Sequence, residues 1–124
     1  MFFWRSLYLV QFIALLISFL FMGLTPSPEH YAPAFNDKIM HFSGYFIAAF
    51  SISFAYPKKI KSHNAVFLIL FSIGIEIGQH FMPPRTFDFL DICANSAGVF
   101  VGLVIVNELK KNSLWFKKLL FLAE

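Results

Sequence analysis

Four stretches of the chain are apolar almost without interruption, and short polar segments divide them. SLYLVQFIALLISFLFMGL (6–24) carries no charge, and IMHFSGYFIAAFSISFAY (39–56) has one histidine near its start. NAVFLILFSIGIEIGQHFM (64–82) holds Glu76 and His80, and FLDICANSAGVFVGLVIV (89–106) holds Asp91. A helix rises about 1.5 Å per residue, so crossing the hydrocarbon of a bilayer takes roughly 20 residues. Each stretch has about that length, which predicts four transmembrane helices. The separators TPSPEHYAPAFNDK, PKKIKSH and PPRTFD all contain proline, which cannot continue a helix from its interior. Loops this short make the second, third and fourth helices antiparallel neighbours.

Composition agrees. The 124 residues are 58% hydrophobic and 14% charged, with 18 phenylalanines, too little charge to cover a soluble domain. The expected architecture is an all-α, polytopic four-helix bundle forming one domain over residues 1–124. The sequence after the fourth stretch, NELKKNSLWFKKLLFLAE (107–124), interleaves lysines with Trp115, Phe116, Leu119 and Leu120 and reads as an amphipathic tail at the lipid interface. The pI near 9.1 does not point to nucleic acid, because the lysines border apolar runs, as they do beside an anionic leaflet. The single cysteine, Cys93, reads as a small buried hydrophobe. An alternative makes the first stretch a signal peptide cleaved at APA (32–34), although its apolar run is long for one.

The distribution of positive charge orients the bundle. With four spans, Arg5, Lys58, Lys59, Lys61, Lys110, Lys111, Lys117 and Lys118 share one side, against Lys38 and Arg85 on the other. The positive-inside rule then places both termini in the cytoplasm of a bacterial inner membrane. Under that orientation the ionisable groups gather at the outer end. Asp37, Lys38 and His41 open the second helix; Glu76 and Gln79 close the third; Asp88, Asp91 and Asn95 open the fourth. Glu76 lies about 9 Å below the outer end of its span. Spacings of three and four put each set on one helix face. Gly98 and Gly102, and Gly74 and Gly78, extend those faces as small-residue stripes that let backbones approach.

An ionisable group in lipid costs on the order of 3 kcal/mol or more, so each of these needs a partner or a purpose. Four acids, Asp37, Glu76, Asp88 and Asp91, face two fixed cations, Lys38 and Arg85. Protonated histidines, a carboxyl that keeps its proton, or a bound divalent cation would balance them. The metal-ligand candidates are Asp37, His41, Glu76 and Asp91; the candidates for proton chemistry are His41, Glu76 and Asp91. Glu76, the deepest acid, is expected to be neutral or tied to Arg85. His80 is a weaker member, and His30 and His63 fall in loops with no assigned role.

The segments DKIMHFSGY (37–45), EIGQHFMPPR (76–85) and RTFDFLDICANSAG (85–98) resemble the signature blocks of VanZ-like membrane proteins, in order and with matching spacing over about half the chain. The resemblance marks Asp37, Lys38, His41, Glu76, Gln79, Arg85, Asp88, Asp91 and Asn95 as motif positions. The family is named for a protein linked to resistance to teicoplanin, a glycopeptide that acts on cell-wall precursors outside the membrane. It implies an envelope role for relatives.

The leading expectation is a site that binds, and in an extended form modifies, an anionic headgroup such as a lipid-linked cell-wall precursor. Lys38, Arg85, Gln79 and Asn95 would hold it, with Asp37 and Asp88 in support. A second expectation is a non-enzymatic membrane component whose polar cluster packs helices or docks a partner. A small transporter comes third, because the inner halves of the helices lack ionisable groups and four spans are few without a homo-oligomer.

Overall fold

The computed structural model describes residues 2–27 and 36–121. The proposed cleavage motif at 32–34 and His30 lie outside them. Every regular element among the described residues is a helix, in the order α1 (Phe2–Leu24), α2 (Asp37–Ala55), α3 (Lys61–His80), α4 (Phe89–Asn112) and α5 (Leu114–Leu119). Local sequence explains the boundaries. Asn36 caps α2 by accepting from the backbone N–H groups of Lys38 and Ile39, and Asp88 caps α4 by accepting from that of Leu90. Pro57 ends α2, and Pro83 and Pro84 follow α3.

Two of the helices, α1 and α4, are long and apolar enough to cross a membrane by length and composition. The expectation of four such helices is therefore met by two. The reason lies in α2 and α3 themselves: α2 opens on Asp37, Lys38 and His41, and the two helices also carry Ser51, Ser53, Asn64, Ser72, Glu76 and Gln79, these six all buried. These polar residues dilute the average hydropathy of their helices, and the buried six point inward. The outward residues of the same helices, including Ile47, Val66, Leu70 and Ile77, are apolar and more than half exposed.

The contacts define the topology. On α2 and α4, Lys38 meets Asp91, His41 meets Asn95, and Phe46 meets Gly98 and Gly102. These two helices run parallel, with α3 antiparallel to both through Ser72–Asn95 and Glu76–Asp88. The short loops join α2 to α3 and α3 to α4 as expected, yet the tightest pair is the non-consecutive α2–α4. Its closeness depends on glycine. A Cβ on Gly98 would collide with the Phe42 carbonyl oxygen, and one on Gly102 would come within 2.6 Å of Ala49 Cβ.

Gly74 behaves differently, since nothing lies within 4 Å of a Cβ built there, while Gly78 packs against Leu24. The stripe expected on α3 is thus half realised. Alanine at Gly74 should raise the melting temperature slightly, because a helical glycine gives up about 0.8–1.0 kcal/mol relative to alanine. A thermal melt in detergent measures it; a loss of several degrees would show a contact at this position.

At the end of the bundle opposite the α2 N-terminus, the tail turns back. Phe116 and Leu120 are buried with Val106 and pack on Phe50 and Phe54, and Tyr8 Oη donates to the Leu119 carbonyl at 3.2 Å. Trp115 and Leu114 stay exposed. The tail is therefore amphipathic with one face docked on the protein. Cys93 is exposed, contrary to the expectation of a buried hydrophobe. It lies two residues past Asp91 and two before Asn95, on the opposite side of α4 from that inward stripe.

Candidate functional site

The C-terminal ends of α1 and α3 and the N-terminal ends of α2 and α4 enclose a cavity of about 750 Å³. All nine motif positions except Lys38 line it, and Lys38 stands at its edge, bonded to two of the lining acids. The convergence expected from the sequence is thus present, drawn from three helices and the turn before α4.

Asp88 ties the ends of three helices together. Its Oδ1 caps α4, its Oδ2 pairs with Lys38 Nζ at 2.5 Å, and its backbone N–H donates to Glu76 Oε2 at 3.3 Å. Lys38 Nζ also pairs with Asp91 Oδ1 and lies 3.8 Å from Asp37 Oδ2. The lysine expected to hold a headgroup is therefore committed to carboxylates. These bonds, to Asp88 first and Asp91 second, push the Lys38 ammonium up, and the hydrogen bond from Lys38 holds the Asp88 carboxyl down.

The sign of the resulting pH dependence follows. A depressed carboxyl contributes stability that is present above its unfolded value near 3.9 and is lost as pH falls through the folded value. A raised ammonium contributes stability fully present below its unfolded value near 10.4, lost only as pH rises through the higher folded one. The melting temperature should therefore change little through this pair between about pH 5 and 10 and fall in acid. Asp88→Asn should shorten the acid limb; an identical limb in that variant would contradict the assignment.

His41 is held at both nitrogens. Its Nδ1 lies 2.9 Å from Asn95 Oδ1, and Asn95 Nδ2 donates to Ser72 Oγ at 2.9 Å. With its amide nitrogen engaged by serine, Asn95 presents oxygen to the ring, so Nδ1 is the donor. That leaves Nε2 facing Asp91 Oδ2 at 3.3 Å and Asp37 Oδ1 at 3.7 Å. Two carboxylates around one nitrogen call for positive charge between them, either a ring proton or a cation. Asp37, His41 and Asp91 offer ligand atoms all within 4.8 Å of one another, a set that suits a divalent ion with an outer hydrogen bond orienting the imidazole. Glu76, also expected among the ligands, stands outside this set.

Glu76 is fully buried, and its Oε1 has no hydrogen-bond partner. Gln79, 2% exposed, lines the same cavity, and its amide enters no hydrogen bond among the described residues. Arg85 forms no salt bridge among them; its guanidinium donates to the Thr25 carbonyl at 3.4 Å. The expected Glu76–Arg85 pair is not formed. A buried acceptor, a buried amide and an uncommitted guanidinium therefore face one space. His80 is exposed and outside it.

The sequence reading missed three contributors. Ser72 orients Asn95, Tyr45 is a buried cavity wall, and Phe19, Met22 and Gly23 bring α1 into the site. Spacing could have found the first two, since Ser72 precedes Glu76 by four and Tyr45 follows His41 by four. No such signal exists for the α1 residues, which lack polar side chains.

No solved structure matches the chain. An uncharacterized protein of Schizosaccharomyces pombe is 28% identical over 105 residues, covering 82% of this chain and 63% of that protein. The chain thus spans somewhat less than two thirds of this relative's length. The VanZ/LLP1 family model matches residues 1–111, a stretch that takes in every helix and residue of the cavity, and the chain belongs to the VanZ/LLP1 family.

Proposed function

We propose that the cavity binds the phosphorylated headgroup of a lipid, or of a lipid-linked envelope precursor, in the outer leaflet of a cell membrane that the chain crosses four times. The four-span reading is supported by the surfaces of α2 and α3, which turn polar residues inward and apolar ones outward, the reverse of a helix facing water. Both termini and the tail then lie in the cytoplasm under the positive-inside rule.

The observation that carries the headgroup reading is Arg85. It is the cavity's guanidinium, it has no carboxylate partner among the described residues, and Gln79 and Glu76 Oε1 line the same cavity with unused hydrogen-bonding capacity. Paired N–H donors in a fixed plane suit a phosphate. The acid excess of the cavity would repel that phosphate unless balanced, and the Asp37–His41–Asp91 set offers a seat for a proton or a divalent cation to balance it. A headgroup bound between Arg85 and that set would lie with its acyl chains toward the exposed apolar faces.

A screen of phosphorylated and neutral lipids against the protein in lipid nanodiscs, read by native mass spectrometry, tests the proposal. Retention of phosphorylated lipids over phosphatidylcholine is expected; equal retention of all headgroups would end it. A link to glycopeptide resistance in relatives adds an envelope context and assigns no substrate here.

A second reading has its own observation. Lys38–Asp88, Lys38–Asp91, His41–Asn95 and Asn95–Ser72 all join different helices, as links in a packing element or partner-docking scaffold would. It accounts for those links and leaves Arg85, Gln79 and Glu76 Oε1 unexplained.

A further inference from the structure

At the opposite end of the bundle, a second cavity of about 300 Å³ opens between the α2–α3 turn and α4. Lys59, Lys61 and Lys110 line it together with Ser53, Asn64 and Asn107, and no carboxylate does. The ammonium of Lys110 donates to the Pro57 carbonyl at 3.0 Å, which leaves two of its three N–H donors for something else. Like charges brought together without an acid between them oppose one another, so the arrangement favours an anion in their midst.

Two further features point the same way. Asn64 is 4% exposed, lines the cavity, and its side-chain amide enters no hydrogen bond among the described residues. Its side chain therefore keeps donor and acceptor capacity for a ligand in the cavity. The cavity also lies at the start of α3, where the N-cap Ile60 supplies no side-chain acceptor and the first turn contains no acid. The N-terminal end of this 20-residue helix thus keeps its positive dipole unopposed, as at helix ends that hold phosphate.

We infer that this cavity is a second anion site, which takes a phosphate group between Lys110, Asn64, Lys59 and the α3 N-terminus with its first residue, Lys61. The group comes either from an anionic lipid of the cytoplasmic leaflet or from a free phosphate compound; the cytoplasmic placement rests on the orientation proposed above, while the site itself does not. It is separate from the headgroup cavity and shares no lining residue with it.

The test uses the full chain in neutral detergent, with melting followed against inorganic phosphate, against sodium chloride at matched ionic strength, and against phosphatidylglycerol or phosphatidylcholine micelles. Saturable stabilisation by phosphate or by phosphatidylglycerol, absent with chloride and phosphatidylcholine, is expected. Response to phosphate identifies a free anion as sufficient; response to phosphatidylglycerol alone identifies a lipid headgroup. Lys110→Met should weaken the apparent affinity at least tenfold. Because Lys110 also holds Pro57, the exposed pair Lys59→Gln and Lys61→Gln serves as the second variant, and it should weaken binding without lowering the ligand-free melting point. Arg85→Gln should leave this response intact, which separates failure here from failure at the other cavity. No response to either anion, or responses unchanged in both lysine variants, would overturn the inference.

Discussion

Leucine in place of Gly98 is expected to prevent the native bundle from forming. A Cβ at this position already collides with the Phe42 carbonyl oxygen and sits 3.0 Å from the Phe46 amide nitrogen, so the obstacle is backbone that no rotamer change can move aside. Overpacking that side chains can absorb costs typically 1–3 kcal/mol. Here α2 and α4 must separate, and separation also parts Lys38 from Asp91 and His41 from Asn95. The expected readout is loss of a monodisperse species in size-exclusion chromatography. A folded Gly98→Leu protein with wild-type melting would show that the two helices do not meet there.

Asp91→Asn should lower the melting point clearly, while Glu76→Gln should not. Asp91 is 5% exposed and accepts from Lys38 on one oxygen while facing His41 on the other. Removing one partner of a fully buried pair costs about 3–5 kcal/mol; with the Lys38 side chain 39% exposed, about 2 kcal/mol is the better figure. Glu76 spends one oxygen on the Asp88 N–H and has none of its own charge matched by an ion pair within 4.0 Å. A glutamine keeps the accepting oxygen and adds a donor, and functional positions often gain stability when neutralised. Equal destabilisation by the two variants would favour the packing reading over the binding one.

The contrast between these two acids shows how far the sequence reaches. That Asp37, His41, Glu76, Gln79, Asp88, Asp91 and Asn95 meet at one end of a helical bundle was legible from spacing and from the short loops, because helical period and antiparallel connection are global constraints. How they divide was not. Asp88 and Asp91 look alike in sequence, yet one caps α4 at its rim and the other is buried against α2. Lys38 read as a ligand for phosphate and proves engaged with acids, since three carboxylates lie within its reach. The pairing of α2 with α4 follows from Gly98 and Gly102, whose stripe was visible, but Gly74 and Gly78 carried the same pattern and only Gly78 is packed. Small-residue spacing permits close approach without naming the helix that approaches.

The most direct measurement compares binding of phosphorylated lipid by the wild type and by Arg85→Gln in nanodiscs, with melting recorded alongside. The account predicts that Arg85→Gln melts with the wild type, since the guanidinium's one hydrogen bond among the described residues, to the Thr25 carbonyl, is long, and that it binds phosphorylated lipid at least tenfold more weakly. Undiminished binding by a stable Arg85→Gln protein would contradict the claim that this cavity holds a phosphorylated headgroup.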